Sequence, residues 1–494
     1  MSATKRVLFV CGSPRRDRSA SRATAEYLAR FLDHDFEFLD LASVRISAEP
    51  TEVDVAFQGV LDRLRAANAV VWTFGAWTHF VPLDLQLLFE KLFEQGVLFD
   101  GKLAAAVMTS VHVHDDAILK RVRFVSEQLG FGYLGDVSAT GNPFFGYTGD
   151  EATAESSCRV LAGQIARALA DGYVPARISP PLERECLAPS ARGSGFPVGG
   201  PATKKNGKAT LLMITGNRLD ADPASASVAE AIRRFSRNTV EVIELEARRV
   251  GKCVGCLQCD LRSEGTCVIP DEYESIKQRM HEVDGIILVG TCAGGMVERR
   301  LKAFLDRTFG LAHRPTLGGK YGFAVATGGG SLEPEVTGVL HGLLGARGVC
   351  SLAALATSSD LPRFVATLRR TVEDLDRAID ERWSIPDRFG VRASHEVYRR
   401  LAHESGHALR ADYQYYRARS RMTFGLSSIG RAFLRLLFRS RTMERRLMAM
   451  ERSALGRKRA QRLAIYLAAG GRLGRGRDRG TSAYWEGNHG PDSR

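Results

Sequence analysis

Residues 7–42 align without gaps to residues 211–246, and residues 67–93 align without gaps to residues 283–309. In the first stretch Gly12 meets Gly216, Ser21 meets Ser225, Glu26 meets Glu230 and Phe31 meets Phe235. In the second, Val70 meets Ile286, Leu85 meets Leu301 and Phe93 meets Phe309. Such a pattern marks a duplication, because each copy must then fold by the same rules. Between the two stretches the offset grows by twelve residues, and the growth falls on one cysteine-rich loop.

Each copy alternates short apolar runs with amphipathic stretches, the pattern of a parallel sheet with crossover helices. In the first copy, strands are expected at 6–11, 36–41, 69–74, 103–109 and 133–139. Its helices are expected near 19–32, 53–66, 83–95, 115–129 and 152–171. In the second, strands are expected at 210–215, 240–245, 285–290, 321–326 and 349–355, with helices near 224–236, 271–282, 297–309, 332–346 and 361–382. Five strands each imply two doubly wound sheets, which bind ligands beyond the carboxyl ends of their strands. The domains are therefore expected at 1–173 and 208–385. A linker, 174–207, holds six prolines and five glycines, and a tail spans 386–494.

The net charge of +13 belongs to that tail. Residues 386–494 carry 24 Lys and Arg against 9 Asp and Glu, leaving 45 against 47 for the rest. No run of eighteen apolar residues appears, and the N-terminal apolar run stops at Gly12-Ser13-Pro14 without a cleavage site. A cytoplasmic protein is expected. The nine cysteines are odd in number and unevenly spaced, which argues against a disulfide framework.

Four of them, Cys253, Cys256, Cys259 and Cys267, form a C-x2-C-x2-C-x7-C cluster in the inserted loop. Three readings are open: a [4Fe–4S] cluster, which needs four thiolates; a structural zinc, which takes four in a tetrahedron; or unliganded thiols. Cys11, Cys158, Cys186 and Cys350 read as isolated or core residues.

The loop after the first strand, Gly12 to Ser21, brings hydroxyls, backbone N–H groups and arginines to a helix N-terminus, a setting for phosphate. A plain N-capped helix is the competing reading. The second copy offers Gly216, Asn217, Arg218, Ser225 and Ser227. After its third strand come Thr291, Cys292, Ala293, Gly294, Gly295 and Met296, and after its fourth Thr327, Gly328, Gly329, Gly330 and Ser331. These glycines allow backbone close to a flat ring. The first copy is bulkier there, with Ala76-Trp77-Thr78-His79-Phe80 and Ser110-Val111-His112-Val113-His114. Its aromatics either stack on a ring or fill the crevice. The three histidines read as surface or packing residues.

On Gly12-Ser13-Pro14-Arg15 with Ser19 and Ser21, on Leu301 to Arg307, and on Gly318-Gly319-Lys320, the chain resembles the NADPH-dependent FMN reductase family of flavodoxin-like proteins. The cysteine motif resembles that of the iron-sulfur flavoproteins. The resemblance covers roughly 5–172 and 208–382. It implies a flavodoxin-like fold in tandem and FMN as cofactor, with NAD(P)H as donor and a [4Fe–4S] cluster at the four cysteines. It places phosphate near Ser13, Arg15, Ser19 and Ser21 in the first copy, and near Gly216, Arg218, Ser225 and Ser227 in the second. The second copy's ring site would be Thr291–Met296 with Thr327, Gly328 and Gly329, where Cys292 touches the ring. Asn217 departs from the motif's serine, and the first copy lacks the glycine pair and the cysteines.

The expected activity is NAD(P)H-dependent FMN reduction with electrons passed to an acceptor; no catalytic acid or base is assigned, since hydride transfer is the flavin's own chemistry. The rival reading is a non-catalytic scaffold recruited through its tail. Expected partners are NAD(P)H, an electron acceptor and a second copy of the chain. For the tail, an anionic membrane surface or an acidic protein is expected rather than nucleic acid. Ile429, Phe433, Leu436 and Leu437 lie at helical spacing beside arginines, the pattern of a basic amphipathic helix. Gly470–Arg479 reads as disordered. His403-Glu404-Ser405-Gly406-His407 spells H-E-x-x-H, a zinc protease pattern. Gly406 weakens the helix that pattern needs, so a solvated helix is the expectation.

Overall fold

Two parallel sheets with the same strand order account for most of the chain. The computed structural model describes residues 5–44, 46–47, 54–78, 80–111, 115–140, 151–182, 193–328, 333–357, 360–404, 406 and 408–419. The first sheet holds β1 (Arg6–Cys11), β2 (Asp35–Asp40), β3 (Ala69–Gly75), β4 (Leu103–Ser110) and β5 (Gly132–Thr140), in the order β2-β1-β3-β4-β5. The second holds β6 (Thr210–Thr215), β7 (Thr239–Glu244), β8 (Gly285–Ala293), β10 (Tyr321–Thr327) and β11 (Cys350–Ala356), in the order β11-β10-β8-β6-β7. A short β9 (Met296–Val297) folds back antiparallel on β8. This is the flavodoxin-like arrangement, twice. The central strands β4 and β10 are buried along their whole length, as helices on both faces require.

Around the first sheet lie α1 (Ala20–Ala29), α2 (Val55–Ala66), α3 (Leu83–Glu94), α4 (Asp115–Gln128) and α5 (Glu151–Asp171). Around the second lie α6 (Pro223–Phe235), α7 (Gln258–Leu261), α8 (Tyr273–Glu282), α9 (Arg299–Arg307), α10 (Phe309–His313), α11 (Glu333–Ala346) and α12 (Leu361–Glu381). Then follow α13 (Phe389–Glu404) and α14 (Arg410–Arg419). The single helix expected over 297–309 breaks in two at Thr308. Its hydroxyl donates to the Leu305 carbonyl and is held by the buried Arg347 guanidinium, which ends one helix and starts the next. The turn α7 inside the cysteine loop has no counterpart in the sequence reading.

The duplicated units pack against each other through equivalent helices. Leu85, Phe89 and Leu92 of α3 share one buried core with Leu301, Phe304 and Leu305 of α9. Gln86 Nε2 donates to the Val297 carbonyl across the seam, and Lys252 pairs with Asp84 at 2.6 Å. The seam also buries an ion pair, Lys302 with Asp306, to which the Thr78 hydroxyl donates from the other unit.

Glu90 lies in the same seam, fully buried and bonded to Gln86 Nε2 at 2.7 Å. Burial pushes its carboxyl from the usual 4.5 to about 7, against the lowering effect of Gln86. The fold therefore holds this proton more tightly than the unfolded chain does. The stabilisation is fully present below about 4.5 and is lost as pH rises through about 7. The shift corresponds to about 3 kcal/mol. Glu90→Gln removes that dependence, so urea titration at pH 8 should show a more stable variant, and at pH 4 little difference. An unchanged pH slope would refute this.

The C-terminal segment departs from expectation. The helix α13 is not solvated along its length: Val391, Ser394, Leu401 and Ala402 are buried, and it packs on α10 and α11. No helix among the described residues is long and apolar enough to cross a membrane. The amphipathic stretch near 429–437 and the Gly/Arg-rich 470–479 lie outside the described residues.

Candidate flavin and cysteine sites

The two crevices, alike in sequence, differ in what fills them. In the first unit, β1 delivers the chain into Gly12-Ser13-Pro14-Arg15, and Ser19 caps α1 by accepting from the Arg22 N–H at 3.1 Å. Ser19 and Ser21 hydroxyls lie 3.2 Å apart, and the Ser13 hydroxyl accepts from the Arg15 N–H. Ser13, Arg15, Ser19 and Ser21 line the rim of one cavity of ≈ 160 Å³. The ends of β3 and β4 supply Gly75, Ala76, Trp77, Thr78, Thr109, Ser110 and Val111 to the same cavity. Ser13, Arg15, Ser19 and Ser21 are thus brought together on one cavity with the ends of β3 and β4. His79, His112 and His114 lie outside the described residues.

The second unit's crevice is filled from within. Asp222, aligned with Arg18 of the first unit, caps α6 by accepting from the Ser225 N–H at 3.1 Å. Its carboxylate also accepts from the Ser225 hydroxyl, the Asn217 amide and the Thr291 hydroxyl. That carboxylate occupies the polar groups a phosphate would need. Glu298 presses on the loop so closely that a Cβ on Gly216 would sit 1.6 Å from its Oε1, and its other oxygen accepts from the Thr291 N–H. Burial, reinforced by Asp222, holds the Glu298 carboxyl well above the usual carboxylate range. The linker closes the mouth. A Cβ on Gly193 would lie 3.3 Å from the Gly328 nitrogen, and the Phe196 N–H donates to the Ser227 hydroxyl.

The second-copy residues therefore do not surround an open space. Gly216, Ser225, Ser227, Thr291 and Thr327 line a plugged crevice, and Arg218 turns outward to pair with Asp220. Cys292 and Met296 are buried in the core rather than offered to a ring. Gly294 and Gly295 take left-handed φ in the turn before β9, next to Ala293. Gly328 meets the linker, and Gly329 lies outside the described residues.

The inserted loop does something the first-unit sequence gives no hint of. It crosses to the other unit, where Gly255 lies against Pro14 and Arg15 of the phosphate loop; a Cβ there would be 2.9 Å from Arg15 Cγ. Gly255 and Leu257 both take left-handed backbone, with φ of 64° and 57°. Two such turns let Cys253, Cys256 and Cys259 face one interior. Cys267 joins them, and all four line one small, largely apolar cavity with Ile269, Asp306 and Arg307. Burial pushes the Cys253 thiol up to about 12 and Cys259 well above the usual thiol range. A metal that displaces those protons would restore thiolates there. The two cavities share a wall made of Trp77, Leu257 and Phe309, with the Trp77 and Phe309 rings stacked at 5.1 Å.

With this geometry in view, the family model described as NADPH-dependent FMN reductase matches residues 5–142 and 217–349. The chain belongs to that family. Its two matched segments show the duplication, and membership makes it a flavin oxidoreductase of an NAD(P)H-dependent family. The family member is similar over 217 residues, at 27% identity, to an iron-sulfur flavoprotein of Archaeoglobus fulgidus, covering 41% of this chain and 96% of that one. It is 33% identical over 120 residues to an iron-sulfur flavoprotein of Methanocaldococcus jannaschii, covering 24% of this chain and 61% of that one. An FMN-dependent NADH-azoreductase of Bacillus anthracis overlays with a TM-score of 0.27 at 15% identity, covering 33% of this chain and all of that one.

The remaining walls of the first cavity come from residues that the sequence reading passed over: Asp260 of α7, Phe309 and His313 of α10, and Tyr398 and Leu401 of α13. No sequence signal joins them, because they meet only when the C-terminal helices pack on the second unit. The H-E-x-x-H pattern falls only partly on described residues. His403 lies in the last turn of α13, which spans Phe389–Glu404, and His407 lies outside the described residues.

Proposed function

We propose that this reductase carries one FMN per chain, in the first unit, and one [4Fe–4S] cluster at the second unit's cysteines, and passes electrons from NAD(P)H to an acceptor. The observation that carries the reading is the shared wall. An open crevice with a phosphate loop meets four inward-facing cysteines across Trp77, Leu257 and Phe309.

The residues fit both groups. Ser13, Arg15, Ser19 and Ser21 would hold the FMN phosphate by hydroxyl, backbone and guanidinium donors. Gly75 and Thr109 line the space for the ring, and Trp77 closes one side of it. Cys253, Cys256, Cys259 and Cys267 would hold the cluster. Among the described residues, the set of three ligand atoms within 4.8 Å of one another is Asp260, His313 and Asp412, and the thiols form no such set. A [4Fe–4S] cluster takes four thiolates, the number that this cavity gathers. Arg314 donates to the Cys259 carbonyl and Arg307 to the Gly251 carbonyl, which fixes the loop around that site.

Bound flavin exchanges hydride with nicotinamides and releases electrons singly or in pairs. The protein positions it and excludes water with an apolar, aromatic chamber. Purified full-length protein should show flavin bands at about 375 and 450 nm, a broad iron–sulfur shoulder, and one FMN per chain by extraction. Cys256→Ser should lose most of its iron and keep its flavin. A colourless protein that binds no added FMN would leave the scaffold reading instead.

A further inference from the structure

The cysteine loop belongs to the second unit by sequence, yet it is fastened to the first at three points. At its start, Lys252 pairs with Asp84 of α3 at 2.6 Å. At its middle, Gly255 is buried against Pro14 and Arg15 of the Gly12–Ser21 loop. Just beyond, Leu257 packs with Trp77, which follows β3. Gathering four thiols around one cavity requires none of these contacts.

The middle contact falls on one particular side chain. Of the three arginines in the Gly12–Ser21 loop, Arg16 and Arg18 are exposed, and Arg16 donates to the Ala42 carbonyl. Arg15 is half-buried and lines the first unit's cavity beside Ser13, Ser19 and Ser21. Its backbone is tied on both sides: the N–H donates to the Ser13 hydroxyl, and the carbonyl accepts from the Arg18 N–H.

Gly255 covers the stem. A Cβ built on it would lie 2.9 Å from Arg15 Cγ, 3.6 Å from Arg15 Cδ and 3.2 Å from Pro14 Cγ. There is room at this position for a hydrogen and nothing larger. An arginine stem has many rotamers, and ordering it costs entropy. Backbone packed on two successive stem carbons narrows that choice before any ligand arrives, so less is lost when the guanidinium takes up an anion.

We propose that Gly255 is a positioning residue for Arg15, and that the second unit's cysteine loop thereby sets the first unit's preference for FMN over riboflavin, the same molecule without the phosphate. The proposal rests on the flavin reading above. The space for the ring is bounded by Gly75, Thr109 and Trp77, whereas the phosphate is held by the loop that Gly255 covers. A side chain at Gly255 is therefore felt by the phosphate and not by the ring.

Two ligands and one cycle of variants test this. Flavin-free, full-length protein is titrated with FMN and with riboflavin by fluorescence, and iron is measured in each sample. Gly255→Ala should weaken FMN by roughly tenfold, the worth of one charge-assisted hydrogen bond, and leave riboflavin within about twofold. Arg15→Ala should weaken FMN by a similar factor. That variant lacks the Cγ and Cδ that would meet the new methyl, so adding Gly255→Ala to it should change FMN affinity by less than about twofold. Such non-additivity between residues of different units means that one acts through the other. Equal weakening of both ligands, unchanged FMN affinity, losses that multiply in the double variant, or native protein that binds riboflavin as tightly as FMN would overturn the proposal. Gly255 takes left-handed backbone, with φ of 64°, so alanine also strains the turn between Cys253 and Cys256. Should Gly255→Ala lose its iron, Gly255→Asn carries the same test, because asparagine accepts that backbone and still places a Cβ against Arg15. Full FMN affinity in the asparagine variant would sink the idea. Failure of the flavin reading looks different: the native protein would bind neither ligand.

Discussion

Gly75→Leu should give a folded protein recovered almost free of flavin. A Cβ at Gly75 has only Thr109 within 4 Å, at 3.7 Å, so the sheet accepts a side chain there without a clash. Gly75 and Thr109 both line the first unit's cavity, so the leucine branches enter the space the ring needs. FMN affinity should fall by at least ~100-fold, on the order of 3 kcal/mol, as read by fluorescence titration of the flavin-free protein. Thermal unfolding without flavin should be nearly unchanged. The matching control lies in the second unit: Arg218→Ala removes an exposed guanidinium already paired with Asp220 and should leave flavin content at the native value. The opposite result, with flavin lost from the Arg218 variant and kept by the Gly75 variant, would move the cofactor to the second unit.

Asp306→Ala should be the most destabilising single change in the seam. Asp306 compensates Lys302, whose ammonium is fully buried, and it accepts from Thr78 of the other unit. Removing the carboxylate leaves a positive charge in the core, which costs about 3–5 kcal/mol. Guanidinium denaturation reads the loss directly. The double variant Lys302→Met with Asp306→Leu should recover much of it, because an apolar pair of similar volume carries no desolvation cost. Asp306 also lines the cysteine cavity, so iron content is a second readout. A single variant within about 1 kcal/mol of the native protein would show that water already reaches the pair.

Much of the architecture was legible because local rules acted alone. Alternating apolar runs marked all ten strands of the two main sheets to within a few residues, since a buried parallel strand has little choice of composition. The gapless repeat foretold that the two sheets would share a strand order. The place where periodicity misled, 297–309, is where Arg347, in the turn after α11, reaches over to grip Thr308. The segment around His403 was expected to be a solvated helix, whereas buried Val391 and Leu401 pack α13 on α10 and α11.

The sites were legible only in part. The four cysteines and the Gly12–Ser21 loop stood out by their spacing, and the structure gathers the cysteines around one cavity and Ser13, Arg15, Ser19 and Ser21 around another. Which crevice stays open did not, because the answer depends on Asp222 and Glu298, two residues 76 positions apart in sequence that meet over one loop. Aligned residues looked equally competent in both copies. Asp222 stands where the first unit has Arg18, and Glu298 where it has Pro82. Those two exchanges turn a phosphate loop into a self-satisfied network.

Sequence alone determined that this chain holds two copies of one α/β unit, with a thiol loop inserted in the second. Strand composition, turn residues and cysteine spacing are local properties written into short stretches. Tertiary structure decided that the inserted loop lies against the other unit, that Asp222 and Glu298 fill the second crevice, and that His313 lines the first. Those outcomes depend on which surfaces meet when helices α3 and α9 pack, and contacts between distant segments leave no period, spacing or composition along the chain.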